Sequence, residues 1–476
     1  MAEPTGRVPI GNDGGDAHAS RWYIVAAFIF PLCIYLLSLN TKISSDYPAS
    51  ILGTQYALWE YHSFSLGTSG TLIVQTVDKG LLNGCYYSAI SPGFAVLSLP
   101  FAGLGFILDG GSFTQFGYAA LLDEVFLCLA ASLAVVVVYK VCRFYASPAA
   151  SLLAALSLAF GTSVWPFATV IFIHEASLLF AVVALYAVLK VVREGRSSWL
   201  LLLAGASLGV SCFVEYFAIL LFFPFLAYLA LSHVKWRSGG LLALGSPTAP
   251  VLHFSYNYLA FRNPLIFPEQ LKSGAASLLS QFSLSGLLEH VGDYLGLPYR
   301  GILFLAPVAL IGFYGIYKMA GDPDLLPDGL LFLSSFLVIL LAYSSWQDWA
   351  GGMAYGPRFL ILAMPFLCIP ISFVLTSAKG RGLLLFFVTF VISSFVEGTG
   401  ALTSAFSVAG NSLDYQLLEL NLPWLLQGRL NVWWLSDASW GSALTQLCVM
   451  GLFGGLWAGI AFLTFWLWLP KSEGVA

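Results

Sequence analysis

The stretch Tyr118–Lys140, YAALLDEVFLCLAASLAVVVVYK, decides the fold. After Asp123 and Glu124 it carries no charge until Lys140, and Arg143 follows just beyond. A helix needs ~20 apolar residues to cross the hydrocarbon core of a bilayer, and this run has that length. Similar runs fall roughly at 22–39, 90–108, 149–164, 174–192, 198–214, 216–233, 239–259, 301–318, 328–345, 358–377, 382–398 and 443–469. The chain of 476 residues is 59% hydrophobic and only 9% charged, whereas a soluble domain carries about 25% charged residues. This is the composition of an integral membrane protein.

The basic residues set the topology, because cytoplasmic loops are enriched in Lys and Arg. Arg7 and Arg21 precede the first run, and further clusters stand at Lys140/Arg143, Lys190/Arg193/Arg196, Lys235/Arg237, Lys318, Lys379/Arg381 and Lys471. Placing all of them on one side requires an even number of crossings between clusters. Three runs lie between Arg21 and Lys140, so one of them does not cross. The run 90–108 opens with Ser91-Pro92-Gly93 and holds Pro100 in its middle, so it is assigned as a re-entrant or membrane-surface helix. The expectation is an all-α polytopic protein of about 12 transmembrane helices (11 to 13) forming one transmembrane domain over 1–476. Its cytoplasmic tail is 1–21, both termini are inside, and the extracytoplasmic loops are 40–117, 260–300 and 399–441. The run Trp22–Leu39 reads as a retained span rather than a cleaved signal.

Composition also excludes function classes. The net charge of −4 and the lack of a basic patch argue against nucleic acid as a partner. The seven scattered cysteines form no CxxC pair, so neither a metal site nor a disulfide framework is indicated. There is no HExxH, GxGxxG or P-loop, and the Asp322-Pro323-Asp324 stretch falls on the inner side.

Under this topology the polar residues gather at the outer interface, where ionisable groups are costly and mark a site by default. The segment Trp346–Phe359, WQDWAGGMAYGPRF, combines interface aromatics with Gly351-Gly352 and Gly356-Pro357, which stop a helix and let backbone approach a ligand. Arg358 follows at the lip of a span, where a guanidinium can hold a phosphate through paired hydrogen bonds. An aromatic anchor with a snorkelling arginine is the alternative. Asp46, in SSDYPAS just outside the first span, is placed to act as a general base or to cap a turn. Secondary candidates are Glu60, His62 and Tyr87 in the first outer loop; Asp123 and Glu124 at the outer end of the next span; His174 and Glu175; and Trp346, Asp348 and Tyr355. The adjacent His174 and Glu175 lie on different helix faces and would not bind one metal together.

With these features in place the chain resembles the GT-C superfamily of membrane glycosyltransferases, in its mannosyltransferase-like branch. The resemblance runs in order of features over roughly residues 20–377. It is carried by the acid after the first span, the stretch NGCYYSAISPGFAVLSLPF from Asn83, and the strings GTSVWPFATVIFIHE, LGLPYRGILFLAP and WQDWAGGMAYGPRFLILAMPFL. It implies a polyprenyl-phosphate sugar as donor and a glycan, lipid or protein acceptor, with transfer on the outer face of a prokaryotic plasma membrane and no nucleotide; the need for a divalent metal stays open. It implies Asp46 as catalytic base or acceptor-orienting group, and Arg358 with Arg300 as donor-phosphate contacts. The family commonly places a second acid directly after the first; here Tyr47 stands in that position. A transporter or flippase of lipid-linked glycans is the alternative. It requires charged groups near the bilayer midplane, whereas those of this chain cluster toward one side.

Overall fold

A computed structural model describes residues 16–40, 45–114, 117–273, 278–406, 415–433 and 442–468. The expected tail 1–21 and loop 399–441 therefore lie partly outside the described residues. Helix α1 (Asp16–Leu37) leads into α2 (Asp46–Tyr61), a short antiparallel sheet of β1 (Ser65–Gly67), β2 (Lys79–Leu82) and β3 (Cys85–Ser88), and then α3 (Gly93–Leu97) and α4 (Leu99–Leu108). The strand order is β1-β3-β2. Asn83 and Gly84, both at positive φ, close the two-residue turn between β2 and β3, as such turns require. Nothing in the periodicity of the loop announced this sheet. The run 90–108 is broken by Pro100 into helices of 5 and 10 residues; ten residues rise only ~15 Å, about half of the hydrocarbon core.

The apolar runs then form α5 (Tyr118–Cys142), α6 (Pro148–Phe160), α7 (Val164–Ala168), α8 (His174–Glu194), α9 (Leu200–Val214) and, after a 3-10 turn at Tyr216–Leu221, α10 (Phe222–Leu231). Next come α11 (Trp236–Gly245), α12 (Thr248–Phe261), α13 (Pro268–Ser273), α14 (Leu284–Gly296), α15 (Ile302–Leu305), α16 (Ala309–Ala320) and α17 (Leu326–Ser345). A 3-10 turn at Arg358–Ala363 opens α18 (Met364–Ser377), followed by α19 (Arg381–Thr403), α20 (Leu422–Leu426) and α21 (Ser442–Trp468).

Six segments among the described residues are long and apolar enough to cross a bilayer: α5, α8, α17, Arg358–Ser377, α19 and Leu447–Phe465. The other runs form shorter apolar helices, among them α6, α9 and α10 with its preceding turn. The span Arg358–Ser377 is the most enclosed of the six, and α21 turns most of its surface outward. Close helix packing at the centre depends on small residues. A Cβ on Gly312 of α16 would stand 2.1 Å from the Leu367 carbonyl of α18, so only glycine fits there. At one end of the bundle, Asp328 of α17 accepts from Arg193 of α8 and from the hydroxyls of Tyr145 and Tyr228. This is the end marked by Lys140 and Lys190. The candidate residues gather at the opposite end, with α2, the sheet, α13 and α14.

Candidate functional site

Ser45 is extended and begins α2, so Asp46 sits in the first turn of the helix. Its Oδ1 accepts the Val77 amide at 2.8 Å, and its carbonyl accepts the Thr76 hydroxyl at 2.9 Å. Asp46 thereby fixes the strand that enters β2. The ring of Tyr47 stacks on Phe172 with centroids 4.5 Å apart. Burial drives the Tyr47 phenol pKa up, and the nearby Arg358 opposes that rise.

Arg358 is the centre of the site. Its guanidinium carbon lies 4.6 Å from the Phe172 ring centroid, 4.7 Å from Phe359 and 5.3 Å from Tyr47. It is only 8% exposed, and its Nε has no hydrogen-bond partner. Among the described residues no carboxylate pairs with its guanidinium, which has no hydrogen-bond acceptor in the protein. Three aromatic faces favour a cation, yet a buried charge without a counter-charge is expensive. An arrangement of this kind is completed by an anion. Gly351 brings the preceding turn back over the arginine: its φ is +68°, and a Cβ there would meet Arg358 Nε at 2.7 Å.

Arg300 has a different place. It is 1% exposed and donates to the carbonyls of Ala354, Gly356 (2.9 Å) and Gly352 (2.8 Å) and to the Tyr299 hydroxyl (2.9 Å). Burial lowers its pKa to about 10, so it remains charged at neutral pH. Its two Nη atoms are committed to the turn that carries Arg358, which gives it the geometry of a brace rather than of a phosphate ligand. Tyr294 donates to the Trp349 carbonyl, and His290 stacks on the Trp349 ring at 4.2 Å, pinning the same turn to α14.

Beneath the aromatic cage His174 faces Glu215, with Nδ1 to Oε2 at 3.3 Å, although the ring nitrogens make no aligned hydrogen bond. The Tyr343 hydroxyl donates to Glu215 Oε1 at 2.5 Å, and its ring stacks flat on Phe359 at 4.5 Å. Glu175 is fully buried with neither carboxylate oxygen hydrogen-bonded.

The remaining candidates are not brought to Arg358. Glu60 and His62 are exposed at the far end of α2, ~21 Å along the helix from Asp46. Asp123 is buried on α5 beside Gln55 and Ser98, with Glu124 next to it; Gln55 is ~14 Å along α2 from Asp46. Tyr87 packs edge-on against Phe261 at 5.0 Å. Trp346 packs on Phe217 and Phe282, and Asp348 is exposed in the turn. Tyr355 is buried, donates to the Val396 carbonyl at 2.8 Å and fills the space over Gly400. Among the described residues no three His, Cys, Asp or Glu side chains converge as metal ligands would.

Sequence reasoning read 260–300 as an outer loop but singled out no residue of α13 within it. Lys272 of α13 pairs with Asp78 at 2.5 Å, and Glu269 lies one turn earlier on the same helix. Burial raises the Glu269 pKa to about 7; Asp348 and Asp78 add to the rise and Lys272 opposes it.

Residues 122–249 match the family described as dolichyl-phosphate-mannose-protein mannosyltransferase. No curated protein sequence matches the chain. Among solved structures, ArnT from Cupriavidus metallidurans bound to undecaprenyl phosphate superimposes with a TM-score of 0.58 at 15% identity, over 94% of this chain and 75% of that one. The oligosaccharyltransferase of Archaeoglobus fulgidus in its apo form gives 0.56 at 12% identity, over 83% of this chain and 57% of its own longer one. At such identities the likeness is one of fold. The chain is thus similar in fold to ArnT and to the archaeal oligosaccharyltransferase, and its family match is confined to residues 122–249.

Proposed function

We propose that the protein transfers a sugar from a polyprenyl-phosphate donor to an acceptor hydroxyl at the extracytoplasmic face of a prokaryotic plasma membrane. The observation that carries this is Arg358, a buried guanidinium in an aromatic cage without a counter-charge among the described residues. Tyr47, on the acid-bearing turn of α2, forms one wall of that cage. The neighbour of similar fold holds undecaprenyl phosphate, a lipid anion of the right chemistry. The side is argued from charge. Arg358 and Asp46 lie at the end of the bundle opposite Lys140, Lys190 and Arg193, and basic residues favour the cytoplasm.

The acceptor oxygen attacks the anomeric carbon as its proton passes to the Asp46 carboxylate. The bond from that carbon to the phosphate oxygen breaks, its electron pair leaves with the polyprenyl phosphate, and the configuration inverts. Arg358 stabilises the growing charge on the phosphate. Arg300 holds the turn that places Arg358.

The test is transfer by purified protein in liposomes, from a labelled polyprenyl-phosphate sugar pool to membrane-extract acceptors. Wild type is expected to transfer label. Asp46→Asn is expected to lose transfer while still binding donor lipid. Equal transfer by both discards Asp46 as the base. Movement of the lipid-linked sugar between leaflets without transfer sinks the enzyme reading in favour of a flippase.

A further inference from the structure

Of the three rings that hold Arg358, two are hydrocarbon: Phe172 and Phe359 can face a cation and nothing more. The third belongs to Tyr47. Its centroid stands 5.3 Å from the guanidinium carbon and 4.5 Å from the Phe172 centroid, so it is the wall of the cage that carries a polar atom. The tyrosines around the neighbouring turn commit their hydroxyls to the fold: Tyr294 donates to the Trp349 carbonyl, Tyr343 to Glu215 and Tyr355 to the Val396 carbonyl. The pair of Tyr299 and Arg300 satisfies itself, with the ring 3.9 Å from the guanidinium and the hydroxyl accepting from Nη2 at 2.9 Å. Tyr47 and Arg358 form no such bond, and among the described residues the Tyr47 hydroxyl has no hydrogen-bond partner. Its side chain is half-buried. Beside it Arg358 is nine-tenths buried with Nε unpartnered. Two donors in contact, neither of them satisfied by the protein, call for one acceptor between them, since buried polar groups are as a rule hydrogen-bonded.

We infer that Tyr47 is a ligand of the donor phosphate: its hydroxyl donates a hydrogen bond to the phosphate that the Arg358 guanidinium neutralises. This rests on the lipid-phosphate reading of Arg358 and deepens it. The phosphate is then gripped from two elements, α2 and the turn that opens α18. Tyr47 follows Asp46 directly in the first turn of α2, so one turn of helix carries both the base and a ligand of the leaving group. That arrangement sets the spacing between the acceptor hydroxyl and the bond to be broken, which is how positioned groups lower a barrier. Burial drives the phenol pKa up, so the hydroxyl keeps the proton it donates across the physiological range.

The experiment follows thermal unfolding in nanodiscs titrated with undecaprenyl phosphate, with undecaprenol as the phosphate-free control, for wild type and Tyr47→Phe. Transfer kinetics are recorded in parallel. Phenylalanine keeps the ring that stacks on Phe172 and faces Arg358 and removes only the oxygen. The unfolding midpoint of the ligand-free variant should match wild type, and so should its response to undecaprenol. The Kd for undecaprenyl phosphate should rise about 10- to 100-fold, because a hydrogen bond to a charged group is lost. The donor KM should rise with it and the acceptor KM should stay. An unchanged Kd overturns the inference and leaves Tyr47 as a cage wall, with the transferase reading intact. A raised acceptor KM at unchanged donor KM overturns it by assigning the hydroxyl to the acceptor. A wild type that undecaprenyl phosphate does not stabilise removes the lipid-phosphate reading of Arg358, and this inference with it.

Discussion

Arg358→Gln separates a ligand-binding arginine from a structural one. In the free protein three aromatic rings hold the guanidinium at 4.6 to 5.3 Å, a gain of about 0.5–1 kcal/mol for each ring. Against this stands the burial of a charge without a partner, which costs several kcal/mol. The two nearly offset, so the substitution should leave the stability of the ligand-free protein within about 1 kcal/mol of wild type, or raise it. Binding of the donor should suffer far more. Two charge-assisted hydrogen bonds to phosphate are worth about 1.5–3 kcal/mol each, so their loss weakens the lipid by a factor on the order of 100 to 10,000. Thermal unfolding in nanodiscs, with and without undecaprenyl phosphate, reads both quantities. At a lipid concentration of about 100 Kd, wild type should gain about 2.7 kcal/mol, and the variant at the same concentration almost nothing. A variant that unfolds much more easily yet keeps the full lipid-induced gain would refute the reasoning and make Arg358 an anchor of the fold.

Four further outcomes follow from the same geometry. Gly351→Ala forces a side chain into a left-handed turn 2.7 Å from Arg358 Nε; it should cost about 1–2 kcal/mol of stability and weaken donor-lipid binding in the same unfolding assay. Tyr343→Phe leaves a buried oxygen of Glu215 without its donor and should cost about 1–3 kcal/mol, read as a lower unfolding midpoint. Gly312→Leu has no room against the Leu367 carbonyl, and its yield of folded protein on size exclusion should drop sharply. Glu60→Gln, at an exposed site at the far end of α2, should leave kcat and KM unchanged within about twofold.

What the sequence disclosed depended on how local the signal was. The length and end charges of Tyr118–Lys140 announce a membrane helix because both lie within one segment, and α5 occupies 118–142. Pro100 broke the run 90–108 into two short helices where a breaker was read. The run ending at 398 continued to Thr403, where Gly398 packs against Phe453 and Trp165 and Gly400 against the buried Tyr355 ring; the two glycines look like a loop only when those rings are unseen. Asp46 and Arg358 stood out as ionisable residues beside apolar runs. Phe172 did not, since a phenylalanine inside an apolar run carries no mark of facing a cation. Arg300 looked like a second phosphate ligand because its true partners are backbone carbonyls, to which a sequence is blind. The pairing of Asp78 with Lys272 joins residues 194 positions apart, and no spacing rule reaches that far.

The distance in sequence between the walls of the aromatic cage also sets the order in which the site comes into being. Tyr47, Phe172 and Arg358 are made in that order, and at about 5–20 residues per second the ribosome needs roughly 15–60 s to pass from the first to the last. During that interval the N-terminal helices are already threaded into the bilayer, while the cation that would draw a lipid phosphate has yet to be synthesised. Lys272, which fastens the outer loops, also precedes Arg358. The tie between the outer loops can therefore form before Arg358 exists, and the aromatic cage gains its cation only when most of the chain has been made.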